Sequence, residues 1–249
     1  VGFYSNYSMV ISAVSTFAML IFNSVQASIG NLAAKEDSMR QYAVFKDLSV
    51  IGFCLTSFAS VSFLTLFQDF ITILYTEHYL LDYKVVIACS LNFYMVNIMQ
   101  PIYCYRNTVG LFKETKRIML YTALLNIVLS IILGKICGLF GIIFATFVSR
   151  IVTNFWYEPV KLYRTYFHLS PNKYFLEQFF NAICTLIMAA ILLGISIPLN
   201  NVNIYWRFLV KILLCIIVPF SFFIIRFRKT KTFSILLEKF CRIFKKKQY

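Results

Sequence analysis

An all-α, polytopic bundle of membrane-crossing helices is the fold class the sequence predicts, and three observations predict it. Of 249 residues, 60% are hydrophobic and only 14% are charged, against roughly 45–50% and about 25% in soluble domains. The apolar residues gather in runs long enough to cross a bilayer core of about 30 Å. Those runs lack the ten-residue alternation of polar and apolar positions that a membrane barrel requires. One water-soluble domain of this length would have to leave much of this apolar surface wet.

Seven runs with few or no charges follow one another along the chain. The first runs from about Gly2 to Ile29 and opens with a series of serines. The second, Leu48 to Phe67, lies between Asp47 and Asp69. The third, Val85 to Tyr105, carries Asn92, Asn97 and Gln100 and is predicted to kink at Pro101, where a backbone donor is missing. The fourth, Ile118 to Leu133, is the shortest. The tight Gly134-Lys135-Ile136-Cys137-Gly138 segment after it predicts an antiparallel hairpin with the fifth, Leu139 to Trp156. The sixth runs from Phe179 to Ile197 and the seventh from Phe208 to Ile225, with a second kink expected at Pro219.

Nineteen of the 24 lysines and arginines fall in alternate connections and in the tail: Lys35 to Lys46, Arg106 to Arg117, Lys161 to Lys173, and Arg226 onward. By the positive-inside rule these segments are cytoplasmic, which places Val1 outside and the carboxyl terminus inside. The net charge of +14 is therefore a topology signal, and no nucleic acid is implied. Tyr75, Tyr79, Tyr83, Tyr103, Tyr105, Trp156, Tyr157, Tyr205 and Trp206 cluster near span ends, where amphipathic rings settle at headgroup level. A chain that starts at the outer face with neither signal peptide nor basic flank predicts an odd number of spans upstream, and so a longer membrane protein. An initiator Met directly before Val1 would overturn that expectation.

Polar side chains inside lipid are costly, so their angular position matters. Ser5, Ser8, Ser12 and Ser15, then Asn23 and Gln26, recur along one face of the first span, and Thr146, Ser149, Arg150 and Thr153 along one face of the fifth. One reading is helix-to-helix packing; the other is that both stripes line a water-accessible cavity. Arg150 favours the cavity, since no acidic residue in any of the seven runs offers it a partner; a snorkelling anchor is the alternative. Facing a cavity, its planar fork of donors would suit a phosphate. Asn92, Asn97 and Gln100 could add neutral hydrogen-bonding groups, and Arg106 is a second candidate for anion capture.

Catalytic and metal signatures are not signalled. The seven cysteines are scattered without a C-x-x-C, and His78 and His168 fall on opposite sides of the predicted topology. Asp69, Glu77, His78 and Asp82 gather in the longest predicted outer loop and read as solvated groups. No phosphate loop or nucleophile elbow is present, and no cofactor is expected. In the tail, Phe233, Leu236, Leu237, Phe240, Ile243 and Phe244 oppose Lys239, Arg242, Lys245 and Lys246, which predicts an amphipathic helix on anionic membrane lipid.

Val1-Gly-Phe-Tyr-Ser-Asn-Tyr-Ser8, Ser28-Ile-Gly-Asn-Leu-Ala33, Tyr105-Arg-Asn-Thr-Val-Gly-Leu-Phe112, and the stretch from Leu125-Asn-Ile-Val-Leu-Ser130 through Gly138-Leu-Phe-Gly141 to Trp156-Tyr-Glu-Pro159 resemble bacterial polysaccharide repeat-unit flippases. These belong to the superfamily of multidrug, oligosaccharidyl-lipid and polysaccharide exporters. The resemblance covers nearly the whole chain and rests on the order and spacing of short apolar motifs. It implies a carboxyl-terminal half: residues 1–157 as a five-span lobe, 158–228 as two additional membrane helices, and 229–249 as the basic cytoplasmic tail. It further implies a transporter, not an enzyme, in the bacterial cytoplasmic membrane. Such a transporter moves undecaprenyl-pyrophosphate-linked oligosaccharide to the outer leaflet for O-antigen, lipopolysaccharide or capsule, beside polysaccharide biosynthesis machinery. Residues of the amino-terminal lobe have no counterpart here, and the spans offer no carboxylate for ion coupling. The alternatives are a multidrug or other lipid exporter of the same superfamily, and a membrane-embedded glycan polymerase or acyltransferase, for which the outer segment Gln68 to Lys84 is short.

Overall fold

In a computed structural model the described residues are 2–228; the predicted amphipathic tail, 229–249, lies outside them. The described chain is helical throughout, with no strand. In order it forms α1 (Gly2–Lys35), α2 (Ser38–Leu74), α3 (Tyr83–Ile98), α4 (Gln100–Thr108), α5 (Phe112–Val152), α6 (Asn154–Lys161), α7 (Asn172–Ser196) and α8 (Ile204–Phe227). Short 3₁₀ turns at Glu77–Tyr79 and Pro198–Asn201 and a π-helical turn at Leu162–Phe167 complete it.

Helix starts are set locally. Asp37, Asp82 and Asn203 each accept a backbone N–H of the first turn, from Arg40, Lys84 and Tyr205, satisfying donors that have no partner within the helix. Pro101 acts where the sequence places it: α3 ends at Ile98, and α4 restarts at Gln100 with the proline in its first turn. Pro219, by contrast, lies inside an uninterrupted α8.

Six helical stretches are long and apolar enough to cross a membrane, where the sequence predicts seven. The difference falls in the fourth stretch, Phe112–Phe167, a continuous run of 56 residues. Its helix α5 contains one non-helical residue, Gly138, at φ 59° and ψ −139°, and there the chain folds back on itself. The Thr122 and Thr153 hydroxyls are 2.7 Å apart, Asn126 Nδ2 donates to Ser149 Oγ at 3.4 Å, and Lys161 meets Glu114 at 3.3 Å. Contacts between residues 23 to 47 apart, all centred near position 138, require two antiparallel arms. The expected hairpin is present, its two helical arms joined at Gly138 without an intervening loop, so that the run counts as one stretch.

Burial ranks the helices. In their most apolar windows 67% of α3–α4 and 56% of α2 are buried inside the bundle, against 11% for α1 and for the Phe112–Phe167 stretch. The centre is therefore α2 with α3 and α4, and α7 and α8 pack directly on α2. At the basic end, Phe45, Tyr105, Tyr163, Phe167 and Tyr174 form a ring-on-ring core. Gln41 holds it together, its carbonyl accepting from Tyr105 and its amide oxygen from Tyr166. At the opposite end Tyr7 donates to Gln68 at 2.9 Å and accepts from the Leu81 N–H, fixing α1 to the α2–α3 connection.

Candidate substrate path and the charges inside the bundle

The polar stripe of the fifth predicted span divides between two neighbours. Ser149 and Thr153 face the first arm of α5, where Thr122 reaches both Thr153 and Asn154 Oδ1 at 2.7 Å and Ser130 donates to Asn126 at 3.0 Å. Ser149 Oγ also donates to the Thr146 carbonyl at 3.0 Å. The Thr122 bonds to Thr153 and Asn154 and the Asn126 bond to Ser149 cross between the arms, the packing role open to polar side chains in membranes; the Ser130 and Ser149 donations stay within their own arms. Asn92 is used similarly, its Nδ2 donating to the Ile143 carbonyl at 2.6 Å and tying α3 to α5. Asn97 bonds back to Phe93 in its own helix.

Arg150 points to the other side. It lies near Tyr103 and in the electrostatic field of Glu158. Glu158 is 1% exposed and ion-paired to Arg106 at 2.7 Å. Arg106 stacks over the Tyr103 ring at 4.9 Å. No carboxylate of the apolar runs lies beside Arg150; the nearby acidic group comes from outside them. Glu158 falls outside the apolar run, but α6 carries it back against α4. Arg106 takes the carboxylate and Arg150 adds a second guanidinium in its field, so the formal charges of the group sum to one unit of positive charge. Glu158 Oε1 has no hydrogen-bond partner, so the carboxylate is engaged through one oxygen.

The α1 stripe has a different environment. Ser5, Ser12 and Asn23 are exposed, Ser8, Ser15 and Gln26 are half-buried, and Thr16 joins the exposed line. The Ser5 and Ser8 hydroxyls donate to carbonyls of their own helix, Gly2 and Ser5. No described hydrogen bond joins this stripe to Arg150, so the two candidate walls do not meet through polar contacts.

Two further charged groups lie inside the bundle where the sequence places loop or tail. Asp69 is not in a solvated outer loop: α2 continues to Leu74 and leaves it 4% exposed. Its carboxylate takes Arg207 on one oxygen and Lys211 on the other, both at 2.7 Å, so the membrane helices do contain a carboxylate. Arg226, counted by sequence with the cytoplasmic tail, turns into the bundle. Its guanidinium donates to Asn181 Oδ1 at 2.9 Å and Cys184 Sγ at 3.0 Å and lies over the rings of Phe53 and Phe227. Nothing in the hydropathy profile marks either group, because each partner is tens of residues away.

A cleft of about 550 Å³ runs between α2, α3, the second arm of α5, and α7. Its walls are apolar, but Ser60 Oγ, Ser90 Oγ, Tyr94 OH and Gln178 Oε1 line it without hydrogen-bond partners. A second cleft of about 520 Å³ lies at the basic end, where the first turns of α5 meet α6.

No protein-family model, curated protein or solved structure matches this chain. The fold and its apolar surface define the class: a multi-pass helical membrane protein.

Proposed function

We propose that the chain works as a flippase for a lipid-linked oligosaccharide, a transporter without covalent chemistry, in the bacterial cytoplasmic membrane with its basic end inside. The observation that carries the reading is the bare polar face of α1. Ser5, Ser12, Thr16 and Asn23 stand exposed on one side of a helix that buries little of itself in the bundle. Hydroxyls and an amide in line along a membrane helix are costly against hydrocarbon. A hydrophilic path for the sugar and pyrophosphate would use them, while the prenyl tail stays in lipid. The cluster of Arg106, Arg150, Tyr103 and Glu158 supplies a net cation at the basic end, suited to a phosphate-bearing head. The sequence resemblance supplies the substrate class.

Arg150→Gln should lower surface polysaccharide in a strain that depends on this protein, with unchanged membrane insertion; polymer at the normal level would count against the reading. Orientation has its own test at the hairpin tip. Cys137 is exposed, whereas Cys54 is half-buried and Cys89, Cys104, Cys184 and Cys215 are buried. With Cys241 replaced by Ser, a membrane-impermeant maleimide should label Cys137 on intact cells. Labelling only after permeabilisation would reverse the topology.

A further inference from the structure

The second cleft shares Thr153 and Lys161 with the hairpin contacts but is separate from the Arg106–Glu158 pair and the α1 face. Its base is Ile118 and Val152, and its rim is Trp156, Lys161, Arg164 and Thr165. Two irregularities in the helix shape it. Thr153 leaves helical geometry at φ −113° and ψ −82°, and Leu162–Phe167 widens into a π-helical turn, a local distortion often found at functional positions. Together they present Lys161 and Arg164 on the same rim.

Charge balance at this rim is one-sided. Lys161 shares Glu114 at 3.3 Å with both side chains about 40% exposed, a weak pair in open solvent. Arg164 is exposed and has no ion-pair partner among the described residues. Lys113, Lys116 and Arg117 stand exposed on the facing end of α5, while Glu158 is already engaged by Arg106. The rim thus carries two cations, Lys161 and Arg164, against one exposed carboxylate, and three more cations stand on the same end of α5. Directly below, Val152 and Trp156 are 59% and 52% exposed, so the apolar base continues into the lipid-facing surface of the hairpin.

We infer that this cleft is a binding site for an anionic phospholipid of the leaflet at the basic end, with its phosphate on Lys161 and Arg164 and an acyl chain along Ile118, Val152 and Trp156. Basic pockets between membrane helices bind such headgroups, at about 1 kcal/mol for each nearby Lys or Arg. The cleft lies apart from the α1 face and the Arg150 cluster, so the inference stands independently of the transport reading.

The chain has only two tryptophans, which gives a direct test. In the Trp206→Phe protein Trp156 is the sole tryptophan, and the protein is reconstituted in phosphatidylcholine nanodiscs containing brominated-chain phosphatidylglycerol or brominated-chain phosphatidylcholine. Brominated phosphatidylglycerol should quench Trp156 preferentially, and Lys161→Gln with Arg164→Gln should reduce that preference roughly thirtyfold. Lys46→Gln, an exposed cation at the same end on α2, should leave it unchanged. Equal quenching by the two lipids would overturn the inference, as would a preference that survives the double substitution or that Lys46→Gln lowers equally. Inorganic phosphate in solution should not relieve the quenching; if it does, the site takes the free anion and a lipid occupant is refuted. Every substituted side chain is surface-exposed or half-buried, so circular dichroism of each variant should match the parent.

Discussion

Asp69→Asn should destabilise the purified protein more than any other single charge removal, by about 3–5 kcal/mol. Asp69 is the only carboxylate paired with Arg207 and Lys211 among the described residues. Its loss would leave Arg207 and Lys211, with side chains 20% and 10% exposed, without the carboxylate they share. The cost arises chiefly from burying charge without that counter-ion, and a second variant tests this. Replacing all three groups with apolar residues (Asp69→Leu, Arg207→Leu and Lys211→Met) should restore most of the stability, since a complete buried ionic group is often no better than a packed apolar one. Thermal unfolding in detergent reads both. An unchanged melting temperature in Asp69→Asn would mean that water screens the triad. Arg207→Gln should be milder, because Lys211 still compensates the carboxylate.

The second large effect is expected at Gly141. A methyl group there would overlap the carbonyl oxygen of Leu133 on the opposite arm, a backbone atom that cannot swing away. At Gly134 the nearest obstacle is Cγ1 of Ile142, 2.9 Å from an added Cβ, a side-chain atom that can adjust where a backbone carbonyl cannot. Gly141→Ala should therefore cost more than Gly134→Ala, at least the 1–3 kcal/mol typical of overpacking. The structural readout is cross-arm proximity. With the native cysteines replaced, Thr122→Cys and Thr153→Cys should crosslink readily in the parent and poorly when Gly141→Ala is added. Crosslinking of equal efficiency would show that the arms tolerate the extra atom.

Hydropathy made the helices legible, and the glycines flanking Lys135 made the hairpin legible. Helix ends and charge partners were not. The second apolar run stops at Phe67 because Gln68 and Asp69 follow, yet α2 continues for two further turns, since Asp69 is compensated by α8 and need not leave the bundle. Glu158 reads as a loop charge for the same reason, although Arg106 meets it from 52 positions away. A profile that scores residues singly assigns every charge to water. In the candidate path the periodicity marked helix faces but not their neighbours. Ser149 and Thr153 meet the other arm, Arg150 lies near Tyr103, and on α1 Ser5 and Ser12 are exposed while Ser8 and Ser15 are half-buried.

The closed hairpin also bears on how these arms enter a bilayer. Thr122 and Asn126 on one arm find their cross-arm partners in Ser149, Thr153 and Asn154 on the other. An arm inserted alone would carry amide and hydroxyl groups into hydrocarbon without those partners. The turn, with Lys135 its sole charge, offers little to hold either arm back on one side. The two arms are thus suited to partition into lipid as a pre-paired unit, so that membrane integration and the first tertiary contact become a single event.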